Sequence, residues 1–340
     1  MNNPRDYLLE ALPLPESFLP FEQFMEAALY HPEFGYYCTA IKDIGRRGDF
    51  STSATLDPVL GEVIALWAKQ AQADIFSEQP LNLIEIGAGN AQLAKTILSS
   101  LPEARYHIVE HSTPLRIRQA EELGHDNCQW HDSPADALDA CDGNALVFSN
   151  ELVDAFPCRI LEWDGNRWNH VGLERKGETL SETNRPADEM LPTSCTLPDP
   201  QLGQRVEIHE SYFKWIRTWN AHWKKGALLT IDYGGSPNDI YFRRPEGTIR
   251  GYHRQQRIQG AQIYHHMGQQ DLTADVNFDC LQQWSIQLGW ENLLLETQRE
   301  FILRQLPELL NDPARQPACE YLLDPQGPGG AFKVLENRKG

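Results

Sequence analysis

From residue 81 onward, strand-like apolar runs alternate with amphipathic helical runs, and that alternation leaves few folds open to the chain. Leu81–Ile86, Tyr106–Glu110, Asn127–His131, Ala145–Ser149 and Ala227–Ile231 each read as a strand. Helical runs over Ala91–Leu101 and Pro114–Leu123 separate the first three. Such an order calls for right-handed crossovers and a parallel sheet covered on both faces. Asn292–Arg299 and Ala331–Glu336 read as two late strands that close the sheet as an antiparallel pair. The expected fold is α/β, a doubly wound Rossmann-like core over residues 76–340. Helices at Phe21–Tyr30 and Pro58–Gln70 define a helical N-terminal region, residues 1–75. Insertions after strands 4 and 5 are expected at about 159–200 and 236–278. The first opens with a hairpin, Arg159–Leu173, turning at Asp164-Gly165-Asn166.

The segment Leu83-Ile84-Glu85-Ile86-Gly87-Ala88-Gly89-Asn90-Ala91 falls where the first of these strands ends and a helix begins. Glycines at that junction let the backbone pass close under a ligand and take positive φ. Glu110 ends the next strand, where a carboxylate can accept two ribose hydroxyls. A dinucleotide would need a third small residue at the sixth loop position, which is Gln92 here. Glu85, two residues before the first glycine, is a poor neighbour for phosphates and a good one for an ammonium and a sulfonium. The loop therefore favours S-adenosylmethionine over a nicotinamide dinucleotide, through Glu85, Gly87, Ala88, Gly89, Asn90 and Glu110. Asp132, after the third strand, could reach the adenine amine or serve as a surface cap. This loop on a parallel sheet with a late antiparallel pair is the plan of a class I S-adenosylmethionine-dependent methyltransferase core.

Strand 4 runs into Ser149-Asn150-Glu151-Leu152-Val153-Asp154-Ala155-Phe156-Pro157. In this topology the carboxyl ends of strands 1 and 4 flank the reactive end of the ligand. Asn150, Glu151 and Asp154 are therefore candidate catalytic residues, and Asn150 also a cofactor contact. The two acids could equally cap a helix start, and both roles can coexist.

The balance of 30 Lys and Arg against 48 Asp and Glu, a formal net charge of −18, disfavours phosphate-backbone binding. No apolar run approaches the roughly 20 residues of a membrane span. The start of the chain resembles neither a secretory signal nor an Arg-rich transit peptide. Seven widely spaced cysteines with no Cys-x-x-Cys pair argue against a disulfide framework or zinc knuckle, and point to a reducing cytoplasm. His253, His265 and His266 lack a third ligand at a suitable spacing, so no metal is expected.

Together the motifs resemble the MidA-type family of S-adenosylmethionine-dependent methyltransferases. They begin with Leu29-Tyr30 to Gly35-Tyr36-Tyr37, Gly48-Asp49-Phe50 with Thr52-Ser53, and Gly61-Glu62 with Trp67. Glu85 to Gly89, Val109-Glu110-His111-Ser112 with Leu115-Arg116 and Gln119, and Asn150-Glu151 to Pro157 follow. Ile231-Asp232-Tyr233-Gly234, Gly247-Thr248-Ile249-Arg250 and Asp271 to Phe278 complete the series. The mitochondrial branch of that family is a complex I assembly factor regarded as a protein-arginine methyltransferase.

The resemblance implies a methyl transfer to an arginine of a protein substrate, a respiratory-complex subunit among the options. A cofactor-binding assembly factor with little catalysis and a small-molecule methyltransferase are the alternatives. The resemblance also implies that the N-terminal region covers the cofactor cleft, with Gly48, Thr52 and Ser53 folding over the cofactor. Four departures stand out. Ala88 replaces a common proline, Ala91 replaces the closing glycine of the loop, Asp275 replaces a histidine, and Gly251-Tyr252 follows a motif where Ala or Cys is usual. Ala91 is expected to be harmless if its φ is helical. Asp275 would alter target or rate if the usual histidine touches substrate.

Overall fold

The computed structural model describes residues 4–12, 17–40, 58–77, 79–124, 128–176, 179–187, 193–311, 315 and 320–340. The chain opens with α1 (Pro4–Ala11), β1 (Phe18–Pro20) and α2 (Phe21–Tyr30), then a π-helical turn at Tyr36–Ala40. There follow α3 (Val59–Phe76), β2 (Asn82–Ile86), α4 (Gln92–Ser100), β3 (Arg105–Val109) and α5 (Thr113–Leu123). Next come β4 (Cys128–His131), α6 (Pro134–Ala140) and β5 (Leu146–Asn150). An antiparallel run, β6 (Arg159–Trp163), β7 (Trp168–Lys176), β8 (Thr179–Pro186) and β9 (Arg205–Ile208), leads into α7 (Glu210–Trp219). After β10 (Gly226–Gly235) and α8 (Pro237–Tyr241) lie β11 (Arg250–His253), β12 (Gln256–Ile258), β13 (Asp271–Thr273) and β14 (Val276–Asn277). The chain finishes with α9 (Phe278–Gln287), β15 (Glu291–Thr297), α10 (Gln298–Gln305) and β16 (Phe332–Lys339).

These elements gather into two compact units. One comprises residues 1–42, 153–214 and 234–281, and the other 43–152, 215–233 and 282–340. We call them the insertion unit and the sheet unit.

The sheet unit carries seven strands in the order β4-β3-β2-β5-β10-β16-β15. The first five are parallel, and β16 and β15 are antiparallel. This is the expected doubly wound sheet with its late antiparallel pair. Strand β2 has a neighbour on each side and helices on both faces, so four of its five residues are buried. Helix α3 buries Val59, Leu60, Val63, Ile64, Trp67, Ala68, Ala71 and Ile75, a stripe at three- and four-residue spacing. It packs closely on α4 because Gly61 has no side chain. A Cβ there would lie 2.7 Å from Thr96 Cβ. The apolar core joins α3, α4, the central strands and Phe301 and Ile302 of α10.

The insertion unit joins three segments that are far apart in the chain. Strand β6 pairs with β7, β7 with β1 and β8, and β6 with β9, all antiparallel. The expected hairpin is present, its turn held by Asp164 Oδ1 accepting from Asn166 N at 2.8 Å and Arg167 N at 2.9 Å. A second small sheet has the order β12-β11-β13.

Two expectations are corrected here. The N-terminal 75 residues do not form one region, because α3 is part of the sheet unit while residues 4–40 join the insertions. The apolar stripe of α3 is complementary to α4, whereas β1 supplies an edge to β7. Cys195 and Cys280 are joined by a disulfide although 85 residues separate them, a spacing that carries no sequence signature.

Ala91 is the third correction. It is not helical but left-handed, at φ 63° and ψ 19°, just before α4. A Cβ in that conformation costs about 1 kcal/mol relative to glycine. Ala91→Gly is therefore expected to raise the melting temperature by about 2–3 °C in a thermal denaturation scan.

Candidate functional site

In the sheet unit the glycine loop leaves β2 with Gly87 at φ 74° and Gly89 at φ 54°, and Ala91 completes a run of left-handed positions. Gly87 N donates to Val109 O at 2.9 Å, which ties the loop to the end of β3. Two carboxyls lie at this end of the sheet. Glu85 is 2% exposed, and its Oε2 accepts from Tyr106 OH at 2.7 Å. Burial is the main cause that pushes its pKa up to about 7; the Tyr106 hydrogen bond opposes it and the charge of Glu110 adds to it. Glu110 is also raised, chiefly by burial, against hydrogen bonds from Ser112, Gln119 and His111. Glu110 Oε1 accepts from Ser112 N at 2.9 Å and Oε2 from Gln119 Nε2 at 3.1 Å. Two acids whose pKa values are pushed up chiefly by burial suit a ligand bringing hydroxyls and positive charge.

Asn150 ends β5. Its Nδ2 donates to Glu151 Oε1 at 3.3 Å, while its buried Oδ1 accepts no hydrogen bond from the described residues. Glu151 has a left-handed backbone, φ 52°, uncommon away from glycine. The turn is held by Glu151 N donating to Ile231 O at 3.0 Å and Leu152 N donating to Asp232 Oδ2 at 3.2 Å. Asp232 Oδ1 accepts from Tyr233 N at 2.9 Å, so one wholly buried carboxylate orders the ends of β5 and β10. The loop, Glu85, Glu110 and Asn150 together fit the nucleoside and the cationic end of S-adenosylmethionine. Asp132 stands apart from this group, since its side chain is 83% exposed and paired with Arg116. Gly48, Thr52 and Ser53 lie outside the described residues.

Asp154 belongs to the insertion unit, in a single 3-10 turn over Val153–Ala155, and is 5% exposed. Its carbonyl accepts from Ala274 N at 3.1 Å and from the His209 ring. Sequence reasoning placed neither Asp271 nor Tyr37 in a site, but the structure brings both to Asp154. Tyr37 OH donates to Asp271 Oδ1 at 2.8 Å, and Tyr37 stacks on Tyr30, whose hydroxyl donates to Ala155 O at 3.0 Å. Burial, then the charge of Asp154, pushes the Asp271 pKa up to about 7, while Tyr37 and Arg250 oppose the shift. The Tyr37 hydroxyl is raised well above its usual range, by burial and by Asp271, so it is a donor at neutral pH.

Asp275 has a structural occupation. Its Oδ1 accepts from Arg250 and its Oδ2 from Arg244, each at 2.7 Å, and its N donates to Thr248 Oγ1 at 2.9 Å. Glu207 orders the same loop from below. This fully buried carboxylate accepts from Thr248 N at 2.8 Å and from Ile249 N at 3.2 Å. The acid at 275 thus fixes the Arg250 that faces Asp271 electrostatically.

A family described as "Putative S-adenosyl-L-methionine-dependent methyltransferase" matches residues 60–294. The chain is 25% identical to a protein named mitochondrial protein arginine methyltransferase NDUFAF7 homolog of Drosophila melanogaster, over 93% of this chain and 80% of that one. It is likewise 25% identical to the zebrafish (Danio rerio) protein of that name, over 92% and 82%. A Burkholderia thailandensis protein solved with S-adenosyl-homocysteine superposes with a TM-score of 0.82 at 27% identity, covering 95% of this chain and 88% of that one. The mitochondrial names of these relatives overturn the expectation of a cytoplasmic location, which rested on cysteine usage and the chain start alone. No helix among the described residues is long and apolar enough to cross a membrane. With more than half its length matched and its doubly wound sheet shared, the chain belongs to this family of S-adenosyl-L-methionine-dependent methyltransferases.

Proposed function

We propose that the methyl acceptor is an arginine side chain of a protein substrate, gripped through Asp154 and Asp271. The observation that carries this reading is the burial of the two acids in one another's field, with the charge of Asp154 raising the Asp271 pKa. A guanidinium entering there would relieve that repulsion and offer paired N–H donors to the carboxylates. The names of the fly and zebrafish relatives support the same acceptor. A respiratory-complex subunit is the first protein to try, on family resemblance alone.

When bound, S-adenosylmethionine would supply an electrophilic methyl group, its S–C bond breaking as the acceptor N–C bond forms and the neutral thioether S-adenosylhomocysteine leaving. The residues of the chain align the acceptor, exclude water and remove a proton. Glu110 and the glycine loop are assigned to the nucleoside, and Asn150 and Glu151 to positioning at the donor. Asp154 orients the guanidinium. Asp271, held by Tyr37, takes the proton released as the new N–C bond forms. A carboxyl with a pKa near 7 is matched to that task at neutral pH.

Asp154→Ala is expected to abolish transfer while leaving the Kd for S-adenosylmethionine within a few-fold. The assay is labelled methyl transfer into a host lysate lacking the enzyme, followed by amino-acid analysis of labelled bands. Label on a residue other than arginine, or transfer surviving the substitution, would overturn the assignment.

A base must be unprotonated to act, so kcat/KM for the acceptor should fall as pH drops through about 7. Asp271→Asn should lower kcat/KM by about 100-fold or more and remove that acid limb from the pH profile. An unchanged limb in the variant would exclude Asp271 as the proton acceptor.

A further inference from the structure

Gln119 of α5 is fully buried, and both ends of its side-chain amide are hydrogen-bonded. Its Nε2 donates to Gly89 O at 2.9 Å and to Glu110 Oε2 at 3.1 Å. Its Oε1 accepts from Trp130 Nε1 at 3.0 Å. The indole N–H can only donate, so the amide oxygen must face Trp130 and the NH2 must face the two oxygens. One amide therefore meets three successive βα units: the loop after β2, the end of β3, and β4.

We propose that Gln119 is a positioning residue for the ribose of S-adenosylmethionine, acting through Glu110 and the Gly89 carbonyl. The inference rests on the assignment of Glu110 to the ribose hydroxyls. The two oxygens held by one nitrogen can be no farther apart than the two hydrogen-bond lengths together. Gln119 thereby sets the gap between the glycine loop and the β3 carboxylate. It also turns Glu110 so that Oε2 takes one N–H and keeps lone-pair capacity for hydroxyls. Its hydrogen bond favours the ionised carboxylate against the burial that opposes it. The residue type is dictated by these partners. Glutamate at this position would repel Glu110, and methionine, of similar length, would donate nothing.

The test uses the full chain and isothermal titration with S-adenosylhomocysteine and its 2′-deoxy and 3′-deoxy analogues. Wild type should bind the parent about tenfold or more tightly than the analogues. Gln119→Met should weaken the parent by about tenfold and the analogues by less than about threefold, so that discrimination collapses. In turnover, the loss should appear in KM for the donor rather than in kcat. A role in folding alone would weaken all three ligands equally, and that result would overturn the proposal. If wild type itself shows no discrimination, the Glu110 assignment fails and the proposal falls with it. If wild type discriminates and Gln119→Met keeps the ratio, only the role of Gln119 falls. Gln119→Glu supplies a second variant should the methionine protein not fold. It should bind poorly at pH 8 and recover part of its affinity at pH 5.5, where a protonated carboxyl can donate to Glu110. Affinity that fails to rise on lowering the pH would count against the proposal.

Discussion

The parallel pairing of β2 with β3 on one side and β5 on the other governs the chemistry of the sheet unit. Crossovers from a central strand to neighbours on opposite sides leave by opposite faces, and a crevice opens at the carboxyl end between them. The described residues proposed above for the cofactor sit at that end. The glycine loop leaves β2, Glu110 follows β3, and Asn150 ends β5. Their hydrogen bonds are local consequences of the topology. Asp232 ties the turn after β5 to the end of β10, and Gln119 ties the loop to Glu110.

The insertion unit reaches a comparable concentration of polar groups by another route. Its small sheets are antiparallel, and carboxylates, Glu207 fully buried and Asp275 partly so, organise its loops rather than strand ends. Glu207 holds the backbone at Thr248 and Ile249, and Asp275 holds Arg244 and Arg250. Burying such acids is costly unless each is met by several donors or a cation. Glu207 and Asp275 meet that condition within the loop. The charge of Asp154 raises the Asp271 pKa even so, and that opposition directs attention to a cationic acceptor. The acid at 275 is accommodated by two arginines and by Thr248.

The legibility of these features differed for physical reasons. The loop from Glu85 to Ala91 and Glu110 could be read from sequence because strand, turn and helix are consecutive there. Glycine spacing alone announced the tight backbone. The left-handed φ of Ala91 was hidden, since an alanine gives no sign that its neighbours impose that conformation. Asp132 was placed correctly after a strand, but periodicity says nothing about whether a charged side chain turns inward or pairs outward with Arg116. Tyr37 and Asp271 meet across more than two hundred residues. Cys195 and Cys280 meet across 85. No local pattern reports such contacts.

What the sequence determined by itself was the doubly wound sheet, the tight glycine loop after its first strand and the class of cofactor. Each of these follows from alternation and residue type over a few tens of neighbouring positions. Tertiary structure alone decided which distant segments became one body. Residues 4–40 joined the two insertions, and α3 joined the sheet, because β1 completes the edge of β7 and the α3 stripe matches α4. It also raised the pKa values of Glu85 and Asp271. A carboxyl's pKa is set by how much water and which charges surround it once folded, and neither quantity is written in the order of residues along the chain.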